Sequence, residues 1–106
     1  KVLPENKLQA EFFPGKTGTS NNNIIKVADA TDVMAGIAVV ATDTAADLCI
    51  AFETAATSDT ITGNGTTTGG IKGDYVELID VATDLWYVNV RMRATGTEVT
   101  PFSATV

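Results

Sequence analysis

One hundred and six residues, 44% of them hydrophobic and 19% charged, suit one globular domain and exclude a disordered tail, which would carry fewer apolar side chains and a larger charge imbalance. Thirteen Asp and Glu against seven Lys and Arg leave a net charge of −6, a field that repels phosphate backbones and anionic lipid alike. Neither nucleic acid nor a membrane is therefore expected as a partner, and the longest apolar run, Ala35 to Ala41, falls far short of the roughly 18 residues that cross a bilayer.

The chain starts on Lys1 and shows no charged stretch leading into an apolar signal core, so a trimmed start is left open and the compartment is not read from this end. Lys1 to Ser20 holds Pro4, Pro14, Gly15 and Gly18 and sustains neither helical nor strand periodicity, which reads as an extended N-terminal arm (residues 1–20) ahead of a single β domain (residues 21–106). Within the arm, Phe12 and Phe13 need an apolar partner, either on the body of the domain or across a subunit boundary.

From Asn21 onward the apolar segments are short and rich in Thr, Val and Ile, whose branched side chains suit a pleated surface. Asn23 to Ala28 is a first strand, with a turn through Asp29 to Asp32. Ala35 to Ala41 reads as a central strand small enough to be buried on both faces. Leu48, Ile50 and Phe52 alternate with Cys49, Ala51 and Glu53, which favours a strand. A helix from Ala45 to Ala56, capped by Asp43 or Thr44, competes with it. Asp59 to Gly70 is a glycine and threonine tract that forms either a loop or two short edge strands joined at Asn64-Gly65, a dipeptide suited to a tight hairpin. Tyr75 to Val81 and Leu85 to Arg93 make a hairpin around Ala82-Thr83-Asp84. In its second strand Trp86, Val88, Val90 and Met92 share the inner face, while Tyr87, Asn89, Arg91 and Arg93 share the outer one. Val99 to Val106 can supply a last strand, confined to an edge or a bulge by Pro101. Short strands with frequent turns indicate an all-β fold, a small β-sandwich or barrel.

Chemistry is sparsely provided for. Histidine is absent, which removes the commonest general base and the commonest nitrogen ligand for zinc or iron, and no catalytic, cofactor or metal residue is assigned. Cys49, the sole cysteine, can form no internal disulfide, and its flanks Leu48 and Ile50 suggest a buried inert thiol. The tract Gly63 to Gly69 misses the dinucleotide-binding glycine spacing by one residue and precedes no helix, and no Gly-Lys-Ser/Thr triplet occurs. Asn64-Gly65-Thr66 matches a glycosylation sequon, but the turn reading is preferred. Asp29, Asp32, Asp43 and Asp47 lack the spacing of a calcium loop. Glu77 with Asp80, or Glu53 with Asp59, would suit a glycosidase only at suitable separations. Trp86 is in phase with the core, whereas Arg91 and Arg93 are cations on an acidic protein, suited to an acidic partner patch or to solvent.

Thr60 to Gly70, Gly73-Asp74 before Glu77-Leu78, Leu85-Trp86 with Val88, Gly96-Thr97 and Thr100-Pro101-Phe102-Ser103 together resemble a module of small structural proteins of tailed bacteriophages. A second stretch, Ala35 to Asp43, looks like the Gly-Ile-x-Val-x-Ala-x-Asp segment of lambda-type head decoration proteins. The resemblance implies a capsid decoration, or cement, protein on the outer surface of the virion. It would act as a homo-oligomer, a trimer in that family, that binds the major capsid protein or other virion subunits and braces the shell. Phe12, Phe13, Lys16, Tyr87, Arg91 and Arg93 are the expected partner contacts. The alternative expectation is a tail, fibre or extracellular filament module that adheres to a cell-surface glycan or a partner protein.

Overall fold

The computed structural model describes residues 9–12, 22–43 and 48–106. Every regular element among them is a strand: β1 (Gln9–Phe12), β2 (Asn23–Lys26), β3 (Val33–Ala41), β4 (Cys49–Glu53), β5 (Thr60–Gly63), β6 (Tyr75–Ala82), β7 (Leu85–Arg93) and β8 (Phe102–Ser103). The fold is all-β, with a five-stranded sheet ordered β1-β6-β7-β3-β4 and a three-stranded sheet ordered β2-β5-β8.

Alternation of side chains explains how the sheets meet. Along β7 the even-numbered residues Trp86, Val88, Val90 and Met92 are buried and their neighbours are not. Strand β3 runs parallel to β7 with Met34 opposite Trp86, Ala38 opposite Val90 and Val40 opposite Met92, so its even-numbered residues turn to the same side. On β6, antiparallel to β7, Val76 and Leu78 join them. Ile61 of β5 and Phe102 of β8 close this layer from the smaller sheet, and Val27, just past β2, completes one apolar cluster. Gly36 of β3 lies opposite Val88 of β7. Its φ is +151°, and a Cβ there would lie 2.0 Å from the Val88 carbonyl oxygen, so no side chain fits.

Buried carboxylates tie the irregular segments to this frame. Asp59 Oδ1 accepts hydrogen bonds from the Thr60 hydroxyl at 2.8 Å and the Thr105 N–H at 2.9 Å, while the Asp59 N–H donates to the Ser103 carbonyl at 2.9 Å. The C-terminal residues are thereby pinned along β5. Asp74, also buried, receives the N–H groups of Gly70 and Ile71, each at 3.0 Å, on one oxygen and the Arg93 N–H at 3.2 Å on the other. A single carboxylate thus joins the glycine-rich loop to the end of β7.

Several sequence expectations change in the structure. Ala35 to Ala41 lies in an interior strand of its sheet but is not buried on both faces, because nothing among the described residues covers the outer side, and Ile37 is 42% exposed there. The segment around Cys49 is a strand, not a helix, yet as the outermost strand it leaves Cys49 exposed, which overturns the buried thiol. The glycine and threonine tract is not a hairpin of edge strands. Thr60 to Gly63 is the middle strand of the smaller sheet, and the following loop is organised by Asn64, whose Oδ1 accepts the N–H groups of Thr66 at 2.8 Å and Thr68 at 3.2 Å. The β6–β7 hairpin turns on Thr83-Asp84, not on three residues, since Ala82 pairs with Leu85 and the register slips between Asp80 and Ala82. Asp84 takes the left-handed φ of 59° that this tight reversal requires. The last strand is only Phe102–Ser103, held by the Thr62 N–H donating to the Pro101 carbonyl at 2.8 Å. Part of the N-terminal arm is itself a strand: Gln9–Phe12 pairs antiparallel with β6 at the sheet edge.

Candidate interaction surface

The smaller sheet covers one side of the larger one, and the other side faces outward. On that outer face the odd-numbered residues of three adjacent strands stand in ladder positions: Glu77 and Ile79 on β6, Tyr87, Asn89 and Arg91 on β7, Ala35, Ile37 and Val39 on β3. Tyr87 is 44% exposed and Ile37 42%, while Ile79, Ala35 and Val39 are half-buried beside them. The result is an apolar band crossing the sheet, with Glu77 and Arg91 on its flank.

Three of the expected contact residues meet on this face. Tyr87, Arg91 and Arg93 alternate along β7 and are all exposed. Arg93 is also engaged locally, its Nε at 3.4 Å from Asp74 Oδ1 and its Nη2 donating to the Lys72 carbonyl, which leaves Tyr87 and Arg91 the more available of the three. Phe12 occupies the ladder position opposite Val76 at the far end of the sheet. Phe13 and Lys16 lie outside the described residues. Trp86 is buried, as its phase requires.

The acidic pairs do not form a hydrolytic site. Glu77 and Asp80 point to opposite faces of β6, because their separation of three residues is odd. Asp59 is buried with its Oδ1 hydrogen-bonded to Thr60 and the C-terminal backbone, whereas Glu53 is exposed at the end of β4. Of the aspartates weighed for calcium, Asp43 receives the Gly96 N–H at 3.2 Å, and Asp47 lies outside the described residues. Asp29 and Asp32 instead line a cleft of about 430 Å³ together with Asp80, Asp84, Leu85 and Trp86 at the hairpin end of the sheet. Hydrogen bonds from the side chain and backbone of Thr31 hold the exposed Asp29 carboxyl below the usual aspartate value. Among the described residues, no group of three or more Cys, Asp or Glu side chains is arranged to hold a metal ion.

Sequence reasoning missed two features of this surface. The exposure of Ile37 follows from strand order, which a local pattern does not contain. The role of Asp74 was within reach, because an aspartate after a glycine at a loop-to-strand junction commonly accepts nearby backbone N–H groups. Comparison with protein-family models, curated proteins and solved structures gave no match to this chain.

Proposed function

We propose that this chain is a virion structural protein, a decoration protein that binds the outer surface of a phage head and stabilises the shell through contact area, not chemistry. The observation that carries the reading is the sheet face that no other described residue covers, where Ile37 and Tyr87 are each more than 40% exposed beside Arg91. An apolar band with a charged flank is the composition expected where one protein seats on another, its aromatic residue providing area and its charge selecting orientation. The resemblance supports the same reading, since its more specific residues have structural work here: Asp74 ties loop to strand, Trp86 fills the core, and the segment from Thr100 to Ser103 forms β8 and its lead-in. The major capsid protein is the proposed partner and the capsid surface the proposed location.

Incubation of the purified protein with DNA-emptied, expanded heads of the phage that carries it, followed by sedimentation, tests the proposal. The intact chain is expected to co-sediment in a saturable ratio, and Tyr87→Ala with Arg91→Glu to lose most of that retention while keeping the β-sheet circular dichroism signal. Failure of the intact chain to bind heads, together with its absence from purified virions, would remove the reading. Exposure of Tyr87 also favours the second reading, a tail or fibre module that stacks this ring on a sugar. Saturable binding on a glycan array that disappears with Tyr87→Ala, without head binding, decides for it.

A further inference from the structure

We propose that β4 is a self-pairing edge on which a second copy of this chain docks antiparallel, so that the two five-stranded sheets continue as one across a two-fold axis beside Ala51. This dimer is independent of the virion role and requires no other partner.

The described residues present four sheet edges, and they differ in protection. Strand β8 is two residues long and follows Pro101, β2 carries Lys26, and β1 is a four-residue strand carrying Glu11. Short length, proline and charge are the usual means of blunting an edge. Strand β4, Cys-Ile-Ala-Phe-Glu, has no proline, no lysine and an unbroken register with β3, and its one charge stands at its end. Among the described residues nothing pairs with its outer side.

Its backbone is presented for pairing. The Thr42 N–H donates to the Leu48 carbonyl at 3.1 Å, and the Thr54 N–H donates to the Gly36 carbonyl at 3.0 Å. These bonds fix the phase of the ladder: even-numbered residues of this segment bond to β3. By the alternation of an antiparallel pair, Cys49, Ala51 and Glu53 turn their N–H and C=O groups outward.

Side chains select the occupant and its register. With Ala51 opposite the partner's Ala51, Cys49 stands opposite the partner's Glu53 and Ile50 opposite the partner's Phe52. Ile50 is 40% exposed and Phe52 only partly covered at the rim of the core, so each copy supplies the apolar neighbour the other lacks, twice by symmetry. The only charge of the strand then stands opposite Cys49 and not opposite a second carboxylate. Centring the pair on Glu53 would set two carboxylates against each other, and centring it on Cys49 would run the partner past the end of β4. Five residues give a shared edge only about 17 Å long, below a standard interface, so the dimer dissociates on dilution. Each copy carries a charge of −6, so salt strengthens the association by screening that repulsion.

Sedimentation equilibrium across a concentration series, at low and high salt, tests the pairing. The expected result is a monomer–dimer equilibrium that shifts toward dimer with salt. Ala51→Pro removes an outward N–H and leaves the bonds to β3 in place, so it gives a monomer at every concentration with unchanged circular dichroism. Ala51→Lys does the same by charge and covers the case in which proline perturbs the strand. Glu53→Cys, paired with native Cys49, yields a covalent dimer under mild oxidation, and adding Cys49→Ser abolishes it. A wild-type monomer up to the highest soluble concentration overturns the proposal. So does an oligomer of any size that survives both Ala51 variants.

Discussion

Replacing Asp74 with Asn separates two accounts of what the buried carboxylate does, a salt bridge to Arg93 or the organisation of backbone donors. In the native protein one oxygen receives Gly70 N–H and Ile71 N–H at 3.0 Å, and the other receives Arg93 N–H at 3.2 Å and Arg93 Nε at 3.4 Å. An amide of the same shape has one acceptor oxygen. If that oxygen serves the Gly70 and Ile71 pair, the amide NH₂ is thrust against the Arg93 donors in a site where the side chain is 2% exposed. Losing charge-assisted bonds and confronting donor with donor is worth about 2–4 kcal/mol. The guanidinium side of the pair is 58% exposed and its contact is long, so Arg93→Met should cost less than about 1 kcal/mol. Urea denaturation followed by tryptophan fluorescence reads both, because Trp86 is buried in the same core. With a slope of about 1–2 kcal/mol per molar, Asp74→Asn lowers the midpoint by roughly 1–4 M and Arg93→Met by less than about 1 M. Equal losses in the two variants, or an Asp74→Asn loss below about 1 kcal/mol, would refute the assignment of Asp74 to the backbone donors.

Other consequences are as direct. Gly36→Ala places a Cβ 2.0 Å from the Val88 carbonyl oxygen and should cost about 3 kcal/mol or more in thermal melts. Gly96→Ala, at φ +71° but with nothing nearer than Thr67 Cγ2 at 3.8 Å, should cost only about 1 kcal/mol. Native Cys49 is exposed, so it should react with a thiol reagent at the rate of a denatured control, where a buried cysteine would react only on unfolding. Because Asp29 titrates below its ordinary value in the folded state, its contribution to stability is present above that ordinary value and is lost as pH falls through the lowered one. A carboxyl-detected NMR titration should show the low value, and Thr31→Val should return it toward normal.

The hairpin was legible in the sequence because its information is local. Trp86, Val88, Val90 and Met92 alternate without interruption, and the turn residues lie beside them, so period and breaker agree. The two sides of Ala35 to Ala41 were not legible. Its small residues fit burial on both faces as well as on one, and the deciding fact, that β3 lies parallel to β7 with no layer outside it among the described residues, is a contact between residues about fifty positions apart. Glycine and threonine in the tract from Asp59 to Gly70 suggested a peripheral segment, yet their small size is what permits close packing: a Cβ on Gly63 would lie 2.6 Å from Gly70 Cα, and one on Gly69 would lie 2.6 Å from the Met92 sulfur. For the interaction surface, Tyr87 and Arg91 were legible from phase alone, whereas Ile37 needed the strand order.

Cys49 shows how the same distinction bears on function. Its neighbours Leu48 and Ile50 are apolar, and in a central strand that flank would bury the thiol. At the sheet edge it does the opposite: Leu48, just before β4, is 58% exposed and Ile50 40%, because among the described residues no strand lies beyond β4. An apolar edge left open this way is a hazard unless something pairs with it, and evolution commonly blunts such strands with lysine or proline. The chain does so with Lys26 on β2 of the smaller sheet and Pro101 before β8, but not at β4. Among the described residues the other edges are protected and this one is apolar and in register, the pattern expected of an edge kept for pairing.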